Sequence, residues 1–186
     1  AAGYGFTPYA PTANRRAQHG NALVFALLAL VVSAVTLGFG INYYREAQRL
    51  ESIQSVTTEV TRIIGSAQST DGTLGYVGLT TATAVGGGTI PRNRATSTST
   101  AVNRFSGAIT LVDNNTSTVG TALLSYASIP QDECKDIVMG THALARRVQV
   151  ASADVKPLDG TLNVATLNAQ CISASAVTIA WVIGRS

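Results

Sequence analysis

The chain's two cysteines, Cys134 and Cys171, are the first residues whose type could do chemistry. Outside a reducing compartment two thiols join as a disulfide, whereas a metal site needs further ligands at regular short spacings. No cluster of His, Cys or carboxylate has such spacing, and the two histidines, His19 and His142, stand far apart. Asp132, Glu133 and Asp136 could suggest a cation site, but adjacent acids at the start of a helix are explained by its dipole alone. Gly86, Gly87 and Gly88 lack the Gly-Lys-Ser/Thr that completes a phosphate loop. No G-x-S-x-G elbow occurs, and no histidine is paired with a nucleophile. These residues therefore predict no enzyme, no cofactor and no metal, and a disulfide between Cys134 and Cys171. Closing a loop of that length contributes roughly 3 to 4 kcal/mol in the chain-entropy account.

Two other patterns carry weaker chemistry. Arg92, Arg94 and Arg104 share one threonine-rich segment, "PRNRATSTSTAVNR", and a basic surface loop of this kind can touch phosphate backbones. It has no interleaved aromatics for base stacking, so a solvated loop is the simpler reading and DNA a weak partner. Asn-x-Ser/Thr sequons begin at Asn114 and Asn115 and matter only where exported proteins are glycosylated.

The elements that must carry these residues begin with "HGNALVFALLALVVSAVTLGFGINYYRE", residues 19 to 46, which holds no acidic or basic side chain between His19 and Arg45. Asn21 to Tyr44 meets the roughly 20 apolar residues that span a bilayer. Arg15 and Arg16 would lie on the cytoplasmic side and Tyr43 and Tyr44 at the opposite interface. The exit "GFGINYY" lacks the A-x-A pattern of a cleaved signal peptide, and "NRRAQHG" matches a twin-arginine signal poorly. After Tyr44, apolar residues recur at Ala47, Leu50, Ile53, Val56, Val60, Ile63 and Ile64, a period of 3.6. With no break between the two patterns, one helix from about 21 to 64 is expected, ending at Gly65. Its interior weak point is Gly38-Phe39-Gly40, where each glycine costs about 1 kcal/mol relative to Ala.

The remainder is rich in Thr, Ser, Val and Gly, which suits strands and turns. Strands are expected at 76 to 79, 105 to 112, 122 to 129, 146 to 151 and 176 to 183, with a hairpin across "VDNNTSTVG". One helix starts near Pro130, with Asp132 and Glu133 in its first turn and Cys134 upon it. The expected class is α+β. Residues 1 to 20 form an arm, 21 to 64 a stem helix packed against the antiparallel sheet, and 65 to 186 a disulfide-bonded head. The net charge of +3 is spread along the chain and makes no nucleic-acid footprint.

This order of elements resembles the type IV pilins. Within them "NRFSGAITLV", "YASIPQDECKDIV" and "LNAQCISASAVTIAWVI" resemble the PilS-type pilins of the type IVb class, found in conjugative thin pili. The Pro130 to Cys134 element with its partner Cys171 is the most specific part of the likeness. The resemblance implies the type IV pilin fold and a subunit stored in the bacterial inner membrane. An assembly machinery would then extract it and pack it by its N-terminal helices into an extracellular homopolymer. Leu23, Phe25, Leu27, Leu28, Leu30, Val31, Val35 and Leu37 would form the filament core, and Gly38 and Gly40 would mark where the helix melts. The family is usually cut after a glycine, which makes Gly20 and Asn21 the possible processing site. The family's glutamate at the fifth mature position is, however, replaced by Phe25. Burying an unpaired terminal ammonium would be expensive, so the expectation is that residues 1 to 20 are retained.

The expected function is a major pilin serving conjugation, DNA transfer or adhesion. The alternative is a minor pilin or membrane-tethered binding module whose head recognises a ligand or DNA.

Overall fold

A computed structural model describes residues 18–70, 72–115, 118 and 120–184. The expected N-terminal arm lies almost wholly outside the described residues. Helix α1 runs Gln18–Thr70, and the chain divides into two compact units, Ala1–Ala47 and Gln48–Ser186. The helix does not stop at Gly65. Ile63, Ile64 and Ala67 are all buried around that glycine, so packing of the following turn carries the helix past it.

In the second unit a six-stranded antiparallel sheet has the order β1-β2-β3-β6-β4-β5. Its strands are β1 (Ala101–Val102), β2 (Ala108–Asp113), β3 (Thr121–Pro130), β4 (Arg147–Val150), β5 (Ala153–Lys156) and β6 (Ala176–Gly184). The two longest, β3 and β6, are central neighbours, so both of their edges are paired. Alternate residues point into one core: Ile109 and Leu111 from β2, Leu124 and Tyr126 from β3, Ile179 and Trp181 from β6. Val56, Val60, Ile63, Ile64 and Ala67 of α1 are buried in that same core. Their spacing at three and four residues is the stripe expected from the period. Leu50, expected on it, is exposed instead.

Three short α-helices also belong to the described residues of this unit. Helix α2 (Thr81–Gly86) starts at Thr80, whose hydroxyl accepts from the Thr83 amide while the Thr83 hydroxyl accepts from the Thr80 amide. Helix α3 (Gln131–Thr141) follows Pro130 and carries Asp132 and Glu133 in its first turn. Helix α4 (Val164–Cys171) is capped by Asn163, whose side chain accepts from the Thr166 amide.

Two differences from the expected strands have local causes. Residues 76 to 79 are turns rather than a strand, because Gly75, Tyr76 and Gly78 all take positive φ. Strand β5 follows β4 through a two-residue turn at Ala151 and Ser152, both left-handed (φ 48° and 68°). That is type I′ geometry without its usual Asn-Gly.

Where β3 meets β6 the register shifts between Tyr126 and Ile129, with Ser128 at φ 57°. The Ala127 carbonyl accepts from Asn103 Nδ2 at 2.7 Å, and the Asn103 Oδ1 accepts the amides of Phe105 and Gly107. A Cβ on Gly107 would stand 1.9 Å from that carbonyl oxygen, so the close approach admits only glycine.

Candidate polymerisation interface and the head

In the first unit, every apolar residue expected to form a filament core is exposed. Leu23, Phe25, Leu27, Leu28, Leu30, Val31, Val35 and Leu37 each leave half or more of their surface bare, as do Phe39 and Ile41. Covering one such side chain is worth about 1.5–3 kcal/mol, so the whole face demands a bilayer or other protein surfaces. The segment is long and apolar enough to cross a membrane. Two of its polar side chains are satisfied within the helix. Ser33 donates to the Ala29 carbonyl at 2.7 Å and Thr36 to the Val32 carbonyl at 3.0 Å, both inside the helix. Ala26, Ala29, Ser33 and Ala34 are small enough to let another helix approach closely.

Helix α1 is continuous through Gly38 and Gly40. A Cβ on either would meet nothing within 4 Å, so neither glycine is required by packing within the chain. Gly20 and Asn21 lie in the opening turn of α1.

The head is fastened to the second half of α1 at three points. Tyr126 donates to Glu59 Oε1 at 2.8 Å and Arg94 Nε donates to Glu59 Oε2 at 2.6 Å, with only 9% of the Glu59 side chain exposed. Burial first, and the Glu59 charge second, push the Tyr126 phenol above its ordinary range, so it remains a donor. Tyr126 also meets Trp181 edge to face at 5.7 Å, and Trp181 donates to the Thr141 hydroxyl, which donates to the Ile137 carbonyl. A second tie pairs Arg104 with Glu51 at 3.2 Å. In the third, Arg49 reaches both Asp136 and the Asp132 carbonyl of α3. Close by, Gly140 leaves room for Thr57, whose methyl would lie 3.1 Å from a Cβ there.

Of the expected basic loop, then, Arg94 and Arg104 are engaged by carboxylates of α1, and Arg92 is exposed. The three do not form a free cationic surface for phosphates. Asp132, Glu133 and Asp136 do not converge on a cation, since Asp136 is held by Arg49 and no metal-ligating group exists among the described residues.

Cys134 of α3 and Cys171 of α4 form a disulfide, both buried, with Cα atoms 5.7 Å apart. Cys171 closes a helix rather than an open lead into the last strand, so the bond joins two helices. At the β4–β5 edge, Arg147 grips Asp154 with two hydrogen bonds of 2.6 and 2.9 Å, and Arg146 grips Asp159 likewise. These guanidinium bonds hold both carboxyls below the usual aspartate range. Asp113 is held low as well, chiefly by the backbone amide of Asn115.

A long N-terminal helix whose residues from Val56 to Ala67 share one core with a six-stranded antiparallel sheet, with a disulfide joining the last two helices, is the fold of the type IV pilins. The structure aligns with TcpA, a type IV pilin from Vibrio cholerae El Tor, at 11% identity and TM-score 0.53. That alignment covers 71% of this chain and 98% of the other. It aligns with the type IVb pilin of Salmonella typhi at 18% identity and TM-score 0.52, over 69% and 99%. The chain belongs to the PilS family: the family's model, described as PilS N terminal, matches residues 50–184. No curated protein matches the sequence.

Proposed function

We propose that this chain is a major pilin, the structural subunit of a type IV pilus, held in the inner membrane and then polymerised through α1 into an extracellular filament. The bare apolar face of residues 22 to 41 carries the reading. In the membrane, lipid covers it; in a filament, the same face of other copies does, so transfer exchanges one apolar cover for another. Gly38 and Gly40 fit this use. Each lowers the stability of the helix by about 1 kcal/mol relative to Ala, and packing within the chain gains nothing from either. Local unwinding on assembly gives the pair a role. The filament serves conjugation, DNA transfer or adhesion, with the assembly machinery of the inner membrane as a further partner.

The alternative of a tethered DNA-binding head loses support from the ion pairs of Arg94 and Arg104, which a phosphate backbone would have to displace.

Electron microscopy of filaments sheared from cells tests the proposal, with Ala29→Phe as the variant. The substitution keeps the segment apolar, so membrane fractionation should be unchanged, but it blocks close helix approach, and filaments should disappear. Filaments built mainly of another protein, or undiminished in the variant, would overturn it.

A further inference from the structure

We infer that a cavity between α1, α3 and α4 holds the headgroup of a zwitterionic phospholipid, a phosphodiester carrying a primary ammonium, in the bilayer where the subunit is stored. The inference rests on the membrane-held subunit proposed above. The cavity measures about 330 Å³, and its walls include Arg49, Asp132, Lys135, Asp136, Asn168 and Ile172. Two constraints fix those walls before any ligand arrives. The Cys134–Cys171 disulfide locks α3 to α4, and Arg49 holds α1 to α3 through the Asp136 carboxylate and the Asp132 carbonyl. A preformed site loses little freedom when it fills.

In that wall the positive charges of Arg49 and Lys135 balance the negative charges of Asp132 and Asp136, but the four are not equally engaged. Arg49 and Asp136 neutralise each other. Asp132 and Lys135 are exposed and stand one turn apart on α3, a spacing at which an acid and a base meet readily. Among the described residues, however, no hydrogen bond or ion pair engages the Asp132 carboxylate or the Lys135 ammonium. A carboxylate and an ammonium held apart across one cavity complement a ligand that carries the same two charges in reverse. Lys135 donates to the phosphate, the ligand's ammonium donates to Asp132, and the Asn168 amide can donate to a second phosphate oxygen. A simple anion would meet two carboxylates and a simple cation two basic groups, so neither matches as well.

The position in the chain selects a bilayer as the source. Arg49 follows Tyr44, the end of the apolar segment, by five residues, a reach of no more than about 18 Å even when extended. Lipid headgroups are therefore within reach of the wall for as long as residues 21 to 44 span the membrane. Ile172, in the same wall, has 72% of its surface bare. It can cover the glycerol and the first methylenes of the acyl chains, which a soluble zwitterion lacks. An occupied site holds the head to the headgroup layer, and extraction of the subunit empties it.

The test uses the full chain reconstituted into vesicles of phosphatidylethanolamine, phosphatidylglycerol and phosphatidylcholine in equal amounts, with identical acyl chains. The vesicles are floated on a density gradient, and the protein band is dissolved in mild detergent for native mass spectrometry. The expected result is a chain that retains phosphatidylethanolamine in preference to either other lipid by about tenfold or more, because losing one hydrogen bond to a charged group is worth at least that factor. Phosphatidylglycerol lacks the ammonium, and the quaternary ammonium of phosphatidylcholine has no N–H to donate. Asp132→Asn with Lys135→Gln should remove the preference while the chain still floats. Both side chains are exposed, so the urea midpoint read by Trp181 fluorescence should be unchanged. A chain that floats without a preference, a preference that survives the double variant, or a cavity filled by a second copy, seen as a lipid-free dimer, overturns the inference and leaves membrane storage intact. Full displacement of the lipid by free phosphoethanolamine at the same concentration assigns the site to a soluble zwitterion and overturns it too. A chain that does not float refutes membrane storage and the inference with it.

Discussion

Glu59 should be the most sensitive polar residue of the head, and its role can be separated from simple packing. Its two carboxylate oxygens accept from Tyr126 and from Arg94, and little of its side chain reaches water. Glu59→Gln keeps the shape. The amide oxygen can still serve Tyr126, but the NH2 group then faces the Arg94 Nε–H, donor against donor. Losing one hydrogen bond to a charged group costs about 1.5–3 kcal/mol. Arg94 keeps 21% of its side chain exposed and can recover part of this from water, so we expect about 2 kcal/mol. For a chain of this size that lowers Tm by about 4–8 °C. Tyr126→Phe removes the other bond and should cost a similar amount. Because the two share one carboxylate, the double variant should fall short of the sum by about 1 kcal/mol. Breaking the exposed Arg104–Glu51 pair should cost under about 0.5 kcal/mol, since 71% of the Glu51 side chain is in water. Trp181 is the only tryptophan and packs on Tyr126, so its fluorescence during urea unfolding of the detergent-solubilised chain reads this region directly. A Glu59→Gln loss no larger than that of the Arg104 variant, or two losses that simply add, would refute this role for Glu59.

Further expectations follow from other named contacts. Replacing both cysteines by Ala or Ser removes a cross-link between residues 37 apart, which the chain-entropy account puts at about 4 kcal/mol; the urea midpoint should fall accordingly. Ser152→Gly relieves a left-handed residue in the β4–β5 turn and should raise stability by about 1 kcal/mol, whereas Gly107→Ala should prevent folding because its Cβ meets the Ala127 carbonyl. Asp154 binds its proton more weakly when folded than the usual aspartate near pH 3.9. Its contribution is therefore complete above that value and is lost as pH falls towards the lower folded one. Asp154→Asn should flatten the loss of Tm on acidification there, an effect a thermal melt series would detect.

How far the fold could be read in the sequence depended on whether each element advertised itself locally. The helical period from Ala47 to Ile64 and the β-branched runs of β2, β3, β4 and β6 do so, because their buried faces repeat at 3.6 or 2 residues. Strand β5 does not. Its four residues, "ADVK", bury one apolar side chain, Val155, and the turn ahead of it uses Ala and Ser where Asn and Gly would signal a hairpin. Helix α4 does not either, because eight residues with two buried side chains give too short a period to detect. Tyr76 misled in the other direction. It belongs to an apolar four-residue run and is buried, yet it reaches the core from a left-handed turn rather than from a strand.

The candidate site divides along the same physical line. Its apolar half is a continuous property of one segment, and each exposed Leu, Val and Phe between 23 and 41 was visible as composition. Its polar half is made by pairs whose partners lie 35, 53 and 87 residues apart, Arg94 with Glu59, Arg104 with Glu51 and Arg49 with Asp136. No local spacing relates such residues, so three arginines of one loop read as a solvated basic loop when two of them pair with carboxylates of the stem. That neutralisation fastens the head to its own helix. A head tied to its helix by ion pairs as well as by the buried stripe transmits a pull on the helix to the sheet through several contacts at once. The segment of α1 beyond Gln48 is therefore held to the sheet by polar and apolar contacts together, whereas a Cβ at Gly38 or Gly40, ahead of it in the sequence, would meet nothing within 4 Å.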